Sequence, residues 1–512
     1  MILILDYGSQ YTELIARRIR EIQVFSEVVP HTITADAVQK RGGVQGIILS
    51  GGPSSVMDSD APSIDPALFE LHVPILGICY GMQLMARQFN GHIASATSRE
   101  YGAAQLTVQH ATGLFDGVPN AINIWMSHSD SVQRLPAGFR AIANTDSCDV
   151  AAFEHPEKNM FGIQFHPEVS HTEYGHTIIE NFVQTICQVT PNWTSDAFVD
   201  QAIQTIRSTV GSDGVLCALS GGVDSSVVAA LLHRAIGQQL TCMFIDTGYM
   251  RHNEGQRVRD LCTKTFKMPI VYVDAADDFY CALEGISEPE EKRKIIGATF
   301  IRVFEREVSK LGGHIPYLAQ GTLYPDVIES AKFGVSSAAH TIKTHHNVGG
   351  LPKDMNFTVI EPLKMLFKDE VRQVGLALGL HEDAVYRHPF PGPGLAIRIL
   401  GEPTQDGVRM LQQADAIVMD EIKAAGLYRS LWQAFALLLP VKSVGVMGDQ
   451  RTYQHTCAIR CVTSTDAMTA QWAHVPYDVL ERMSNRIINE VSGINRVVYD
   501  ISSKPPSTIE WE

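Results

Sequence analysis

Short apolar runs bounded by turn residues alternate with helix-period segments through the first 385 residues. That alternation restricts the chain to mostly parallel sheets with helices on their faces. The opening case is ILIL at 2–5, followed by a segment placing Tyr11, Leu14, Ile15, Ile19 and Ile22 on one helical face. Further buried strands are expected at 47–49, 73–76, 243–245, 270–273 and 359–360. At 512 residues the chain exceeds one ordinary core. Pro191 and Asn192 separate two helical patterns, and the prolines and glycines of HPFPGPGL at 388–395 exclude a regular element. The expected domains are therefore 1–187, 191–387 and 388–512. The expected fold is α/β: two doubly wound, mostly parallel-sheet domains, then a smaller α+β domain. The last has strands near 440–447, 456–463 and 496–501 and a helix near 478–491.

A formal charge of −15 without a basic cluster argues against nucleic acid as a partner and for small molecules. Nine cysteines without a C-x-x-C pair fit a reducing, cytoplasmic setting. No basic leader precedes Asp6, and no uncharged stretch approaches the length of a membrane span, so no membrane association is expected.

In PILGICYGMQLM at 74–85, Cys79 stands at a strand-to-helix turn between Gly77 and Gly81. This is a nucleophile elbow with sulfur in place of oxygen, and the helix N-terminus that follows favours a thiolate. A buried cysteine acting as a small hydrophobe is the plainer alternative, and the flanking glycines weigh against it. FGIQFHPE at 161–168 offers His166 as base and Glu168 as its orienting partner, although such a tripeptide alone is commonly a surface turn. SGGP at 50–53 can bring the Gly52 N–H to a substrate carbonyl, with the Tyr80 N–H as second oxyanion donor. Together these residues resemble the class I glutamine amidotransferases over roughly 1–187. The resemblance implies release of ammonia through a cysteinyl thioester, with glutamine held by Gln83 and by Ser127, His128 and Asp130 of SHSD. Ser129 stands where that family often has glycine.

SGGVDSS at 220–226 follows the apolar run VLCAL and looks like a phosphate loop, yet it lacks the lysine of a Walker A motif. Backbone N–H groups around Gly221, Gly222 and Val223, with the hydroxyls of Ser220, Ser225 and Ser226, suit a departing diphosphate. Asp224 would hold Mg²⁺, which then neutralises the phosphates in the lysine's place. A flexible Gly/Ser turn is the competing meaning. The string resembles the loop of the ATP pyrophosphatases, which implies attack at the α-phosphate and an adenylated intermediate that ammonia can displace.

Six segments, 6–20, 320–330, 342–352, 361–372, 388–395 and 503–512, resemble the glutamine-hydrolysing GMP synthase family in order along the whole chain. The resemblance implies XMP, ATP, glutamine and water giving GMP, AMP, diphosphate and glutamate, with Mg²⁺ accompanying ATP and no organic prosthetic group. It also implies a homodimer through the C-terminal domain. By that resemblance ATP meets Ser220–Ser226, Asp326 and Glu329, a lid carries Lys343, His345 and His346, and XMP meets Arg398, Gln433, Lys504, Ile509 and Glu510. Thr247 in FIDTG departs from the family's usual asparagine. Charges this close to a chain end, such as Lys504 and Glu510, would otherwise be read as frayed and solvated. Alternatives are another adenylating amidotransferase of this loop class, a tRNA-modifying enzyme, or a metabolite sensor. The acidic charge and the missing C-x-x-C disfavour the tRNA enzyme, and the intact set Cys79, His166, Glu168 and Asp224 disfavours the sensor.

Overall fold

The computed structural model describes residues 1–111, 113–312, 314–332, 357–447, 449–464 and 469–512. It forms two compact units, Met1–Ala197 and Phe198–Glu512.

The first unit is built on one nine-stranded sheet. Its strands are β1 (Ile2–Asp6), β2 (Ser26–Pro30), β3 (Gly46–Leu49), β4 (Ile75–Ile78), β5 (His92–Val108), β6 (Ala121–Arg134), β7 (Arg140–Asn144), β8 (Ala152–His155) and β9 (Met160–Ile163). The order is β2-β1-β3-β4-β9-β8-β7-β5-β6. From β2 to β9 the pairings are parallel, and the inner strands β1, β3, β4 and β9 are fully or largely apolar because both faces are covered. From β9 to β6 they are antiparallel, so this sheet is parallel only in one half. The strand expected at 73–76 begins at Ile75 instead, because Pro74 has no N–H for the ladder and serves only as acceptor for Ile47 N. The helix Thr12–Glu21 buries Ile15 and Ile19 as its periodicity predicts.

Parallel pairing sets the geometry of the site. β3, β4 and β9 are neighbours whose carboxyl ends coincide, with Leu49 opposite Gly77 and Ile78 opposite Ile163. The turn after Leu49, the cysteine after Ile78 and the histidine shortly after Ile163 must therefore meet at one edge.

The second unit contains a wholly parallel five-stranded sheet of β10 (Val215–Leu219), β11 (Leu240–Asp246), β12 (Ile270–Asp274), β13 (Tyr317–Ala319) and β14 (Thr358–Ile360), in the order β12-β11-β10-β13-β14. A second sheet holds β15 (Gln433–Met447), β16 (Gln450–Thr463), β17 (Gln471–Trp472) and β18 (Ile494–Tyr499). β15 starts well before residue 440, since a register shift between Leu439 and Lys442 lets the strand pass Pro440 without losing its partner. One apolar core joins the two sheets, running from Leu216 and Met243 through Leu411 to Ile459 and Ile494.

Candidate functional site

Cys79 has φ +51° and ψ −104°, a region that L residues avoid, and it immediately precedes the helix Tyr80–Gln88. The sharp turn is possible because its neighbours lack side chains. A Cβ on Gly77 would lie 2.6 Å from the carbonyl carbon of Gly81, and one on Gly81 would strike Leu49. The Cys79 N–H donates to Ile163 O at 2.8 Å, pinning the elbow to β9, and the thiol faces Ser127 O at 3.6 Å.

His166 is buried, with Nδ1 2.7 Å from Glu168 Oε1. Its N–H donates to Trp125 O and its carbonyl accepts from Thr172 Oγ1 at 2.6 Å, so the backbone is held on both sides. Burial disfavours the imidazolium, but the Glu168 carboxylate and the Cys79 side chain outweigh it and raise the His166 pKa well above its ordinary value. A strongly basic imidazole beside a thiol, with a carboxylate behind it, is the arrangement that general-base activation of a nucleophile needs. The SGGP turn closes the site: a Cβ on Gly51 would stand 3.2 Å from His166 Cε1, and one on Gly52 3.4 Å from Tyr80 Cγ. Tyr80 opens its helix, so its N–H has no partner within it.

The expected glutamine-holding residues lie alongside, and most are already engaged. Gln83 Nε2 donates to Asp130 O at 2.7 Å and to Gln164 Oε1 at 3.3 Å. Ser55 and Ser95 hydroxyls donate to the Asp130 carboxylate at 2.5 and 3.2 Å. Ser127 is half-buried beside Cys79. His128 pairs with Glu100 at 2.9 Å, a partner the sequence reading missed because only the β5–β6 register, with Glu100 opposite His128, brings it near. Burial still lowers the His128 pKa, against the opposing pull of Glu100.

In the second unit, the loop leaves β10 at Ser220 and enters the helix Val223–Ile236 with Gly222 at its cap. Gly221 has φ +76°, which only glycine adopts without strain. The loop binds itself: Ser220 Oγ lies 3.1 Å from Ser225 Oγ and accepts from Gly222 N, while Ser225 and Ser226 hydroxyls donate to Gly222 O. Val223 is buried beneath it. Asp326 accepts from Leu323 N at 2.9 Å at the start of the helix Tyr324–Lys332, which also carries Glu329. Lys343, His345 and His346 lie outside the described residues.

A lysine does reach this loop, from far downstream. Lys368 Nζ stands 3.1 Å from Asp224 Oδ2, at the start of the helix Lys368–Ala377. Arg387 is also brought in, donating to Gly221 O at 2.7 Å while it clasps both carboxylate oxygens of Glu254. Lys368 falls inside the 361–372 segment and Arg387 directly before HPFPGPGL, so adjacency to those segments was the available signal. Thr247 is buried, and its hydroxyl accepts from Tyr249 N at 3.3 Å.

Of the expected acceptor residues, Arg398, Gln433 and Glu510 meet in one cluster. The fully buried Arg398 donates to both oxygens of Glu510 at 3.1 and 2.9 Å, lying over the Phe435 ring at 4.1 Å. Gln433 Nε2 donates to Glu510 Oε1 at 2.7 Å and to Pro389 O at 3.2 Å. Next to Pro389, burial pushes the His388 pKa down to about 4, and the neutral ring accepts from Ala434 N and donates to Tyr428 O. Ile509 packs on Phe435 and Leu437, and its carbonyl accepts from the buried Arg460 at 2.7 Å. Arg460 also holds Thr508 O, Ser502 O and Asp500, and Lys504 exchanges backbone hydrogen bonds with Ala470. The segment 500–512 is thus tied down rather than frayed.

Family-level comparison matches Glutamine amidotransferase class-I over residues 3–186, the tRNA methyl transferase HUP domain over 213–277 and the GMP synthase C terminal domain over 420–511. Among curated proteins, the GMP synthase [glutamine-hydrolyzing] of Thermosynechococcus vestitus is 57% identical, across 100% of this chain and 96% of its own. That of Gloeobacter violaceus is 57% identical across 100% and 94%, and that of Heliobacterium modesticaldum 55% across 100% and 99%. With overall identity at this level across 100% of the chain, the chain belongs to the glutamine-hydrolysing GMP synthase family.

Proposed function

We infer that the chain converts XMP to GMP with nitrogen taken from glutamine, a carbon–nitrogen ligation driven by ATP. The observation carrying this reading is the pairing of a buried Cys79–His166–Glu168 set in one unit with the Ser220–Ser226 cradle and the Arg398–Gln433–Glu510 cluster in the other. His166 accepts the Cys79 proton, and sulfur attacks the side-chain carbonyl of glutamine. The N–H groups of Gly52 and Tyr80 receive the developing oxyanion. The proton on His166 goes to the departing ammonia, and water then cleaves the thioester to glutamate. Gln83, Ser127, His128 and Asp130 shape the glutamine pocket, with Glu100 fixing the His128 ring.

In the second unit, the C2 oxygen of XMP attacks the α-phosphorus of ATP, and diphosphate leaves toward the N-terminus of the helix Val223–Ile236. Ammonia then displaces AMP at C2. Asp326 and Glu329 lie on the ATP side, Lys343, His345 and His346 act as a lid, and Lys504 and Ile509 complete the acceptor pocket. Asp224 suits Mg²⁺: its Oδ1 is buried without a partner among the described residues, and no cage of several His, Cys, Asp or Glu forms there. Asp224 would hold such a metal, which would supply the positive charge that offsets the nucleotide phosphates.

The chain divides functionally into an amidotransferase part at 1–187, a pyrophosphatase part at 191–387 and an acceptor and dimerisation part at 388–512. All nine cysteines are unpaired, which suits the cytoplasm, and no described helix is long and apolar enough to cross a membrane. A homodimer through the last part is supported by Val446 and Tyr453, 75% and 68% exposed on β15 and β16. Sedimentation at assay concentration should return twice the chain mass, and a monomer mass would remove the dimer.

Incubation with XMP, ATP, Mg²⁺ and glutamine should yield GMP and AMP. ADP in place of AMP overturns the pyrophosphatase chemistry. Modified tRNA without GMP would favour the second reading, which the HUP-domain match over 213–277 motivates.

A further inference from the structure

Lys292 lies on the helix Pro289–Val308 and exposes no surface. Its ammonium donates to Ala396 O at 3.3 Å, Ile399 O at 2.8 Å and Glu512 Oε2 at 2.5 Å, which accounts for all three of its protons. These acceptors come from two separate stretches of chain. Ala396 lies inside the turn Gly394–Arg398 and Ile399 directly follows it, whereas Glu512 is two residues beyond Glu510. The same two stretches meet again where Arg398 grips Glu510. Lys292 therefore sits behind the acceptor cluster and bonds both of its halves. Arg293 adds a hydrogen bond to Glu512 O at 2.6 Å.

Packing does not explain a charge at this position, because methionine would fill the volume without the cost of burying an ammonium. Burial lowers the lysine pKa and Glu512 opposes that shift.

We propose that Lys292 is a positioning residue for the nucleotide acceptor: it locks the Arg398 turn and the Glu510 segment in register before XMP arrives. The proposal rests on the reading of Arg398, Gln433 and Glu510 as the XMP site. Its physical content is preorganisation. A segment already docked need not be ordered by the substrate, and an undocked one lowers apparent affinity by the fraction of time it is competent.

The test uses the full chain with ammonium salt as nitrogen donor, so that the glutaminase does not enter. Lys292→Met should raise the KM for XMP by about twentyfold, the value for a site competent about 5% of the time, with the kcat at saturating XMP and the KM for ATP within about twofold. Glu512→Gln, which leaves the two carbonyl bonds intact, should raise the KM for XMP by about threefold. The double variant should match Lys292→Met alone, because both changes break one interaction. KM values for XMP and ATP rising together, or kcat falling at unchanged XMP KM, would make Lys292 merely structural. Should Lys292→Met fail to fold, Glu512→Gln decides, and an unchanged KM for XMP overturns the proposal. Wild-type protein that does not saturate with XMP refutes the acceptor reading itself, whereas saturation with equal KM in all variants refutes the lock alone.

Discussion

Cys79→Ala should cut glutamine-dependent synthesis by on the order of 10⁴-fold or more while synthesis from ammonium salts stays within about twofold. The asymmetry follows from where sulfur acts. Cys79 is held at the edge of the first sheet by Ile163 O and faces His166, so its removal deletes thioester formation and nothing in the second unit. Alanine has no thiol to activate, while Glu168 still holds His166 in place. Steady-state GMP formation with each donor measures the two effects directly. Equal loss with both donors would mean that the cysteine acts through folding or that the two chemistries are not separable.

Asp224→Asn should reduce synthesis with either donor by about a thousandfold, because an amide is a poor Mg²⁺ ligand. The structure adds a second cost. Lys368 pairs with Asp224 at 3.1 Å, so a neutral side chain there leaves the lysine without its anion as well. Glutamine hydrolysis by Cys79 should persist. AMP release followed across a Mg²⁺ titration is the measurement, and a near wild-type rate at any Mg²⁺ concentration would remove Asp224 from the nucleotide site.

The residues that carry local chemistry were legible because each announces itself within a few positions. Gly77, Cys79 and Gly81 encode a turn, and Ser220–Ser226 encode a loop at a helix start, whatever the rest of the chain does. The apolar runs at 2–5 and 47–49 likewise marked buried parallel strands, since both of their faces are covered, and the run at 270–273 marked the half-buried edge strand of the second sheet. The β5–β6 hairpin was not marked. Strands with one wet face alternate apolar and polar residues, and Ala121–Arg134 does so around a single short apolar run, Ile124–Met126, that does not stand out as a separate strand signal. Residues that act through distant partners were also invisible. Lys292 stands in the string EKRK, which reads as a solvated face, and its partner lies 220 positions away. Glu100, Lys368 and Arg387 share that difficulty: a charge declares its role only when the fold supplies its opposite. For Lys504 and Glu510 the bland reading of a loose end failed because the buried Arg460 gathers four acceptors from residues 500–509, a clasp no local pattern encodes.

The strand order of the first sheet also bears on how the thiol behaves while the chain is being made. β4 delivers Cys79 early, beside β3 and the SGGP turn, but its other neighbour in the sheet is β9. His166 therefore emerges only after β5 to β8 have been translated, and at about 5–20 residues per second that interval is on the order of ten seconds. Throughout it the nascent sheet has an elbow without the base that would take the thiol's proton. The late insertion of the ninth strand between β4 and β8 thus makes glutamine hydrolysis wait until the whole sheet is closed.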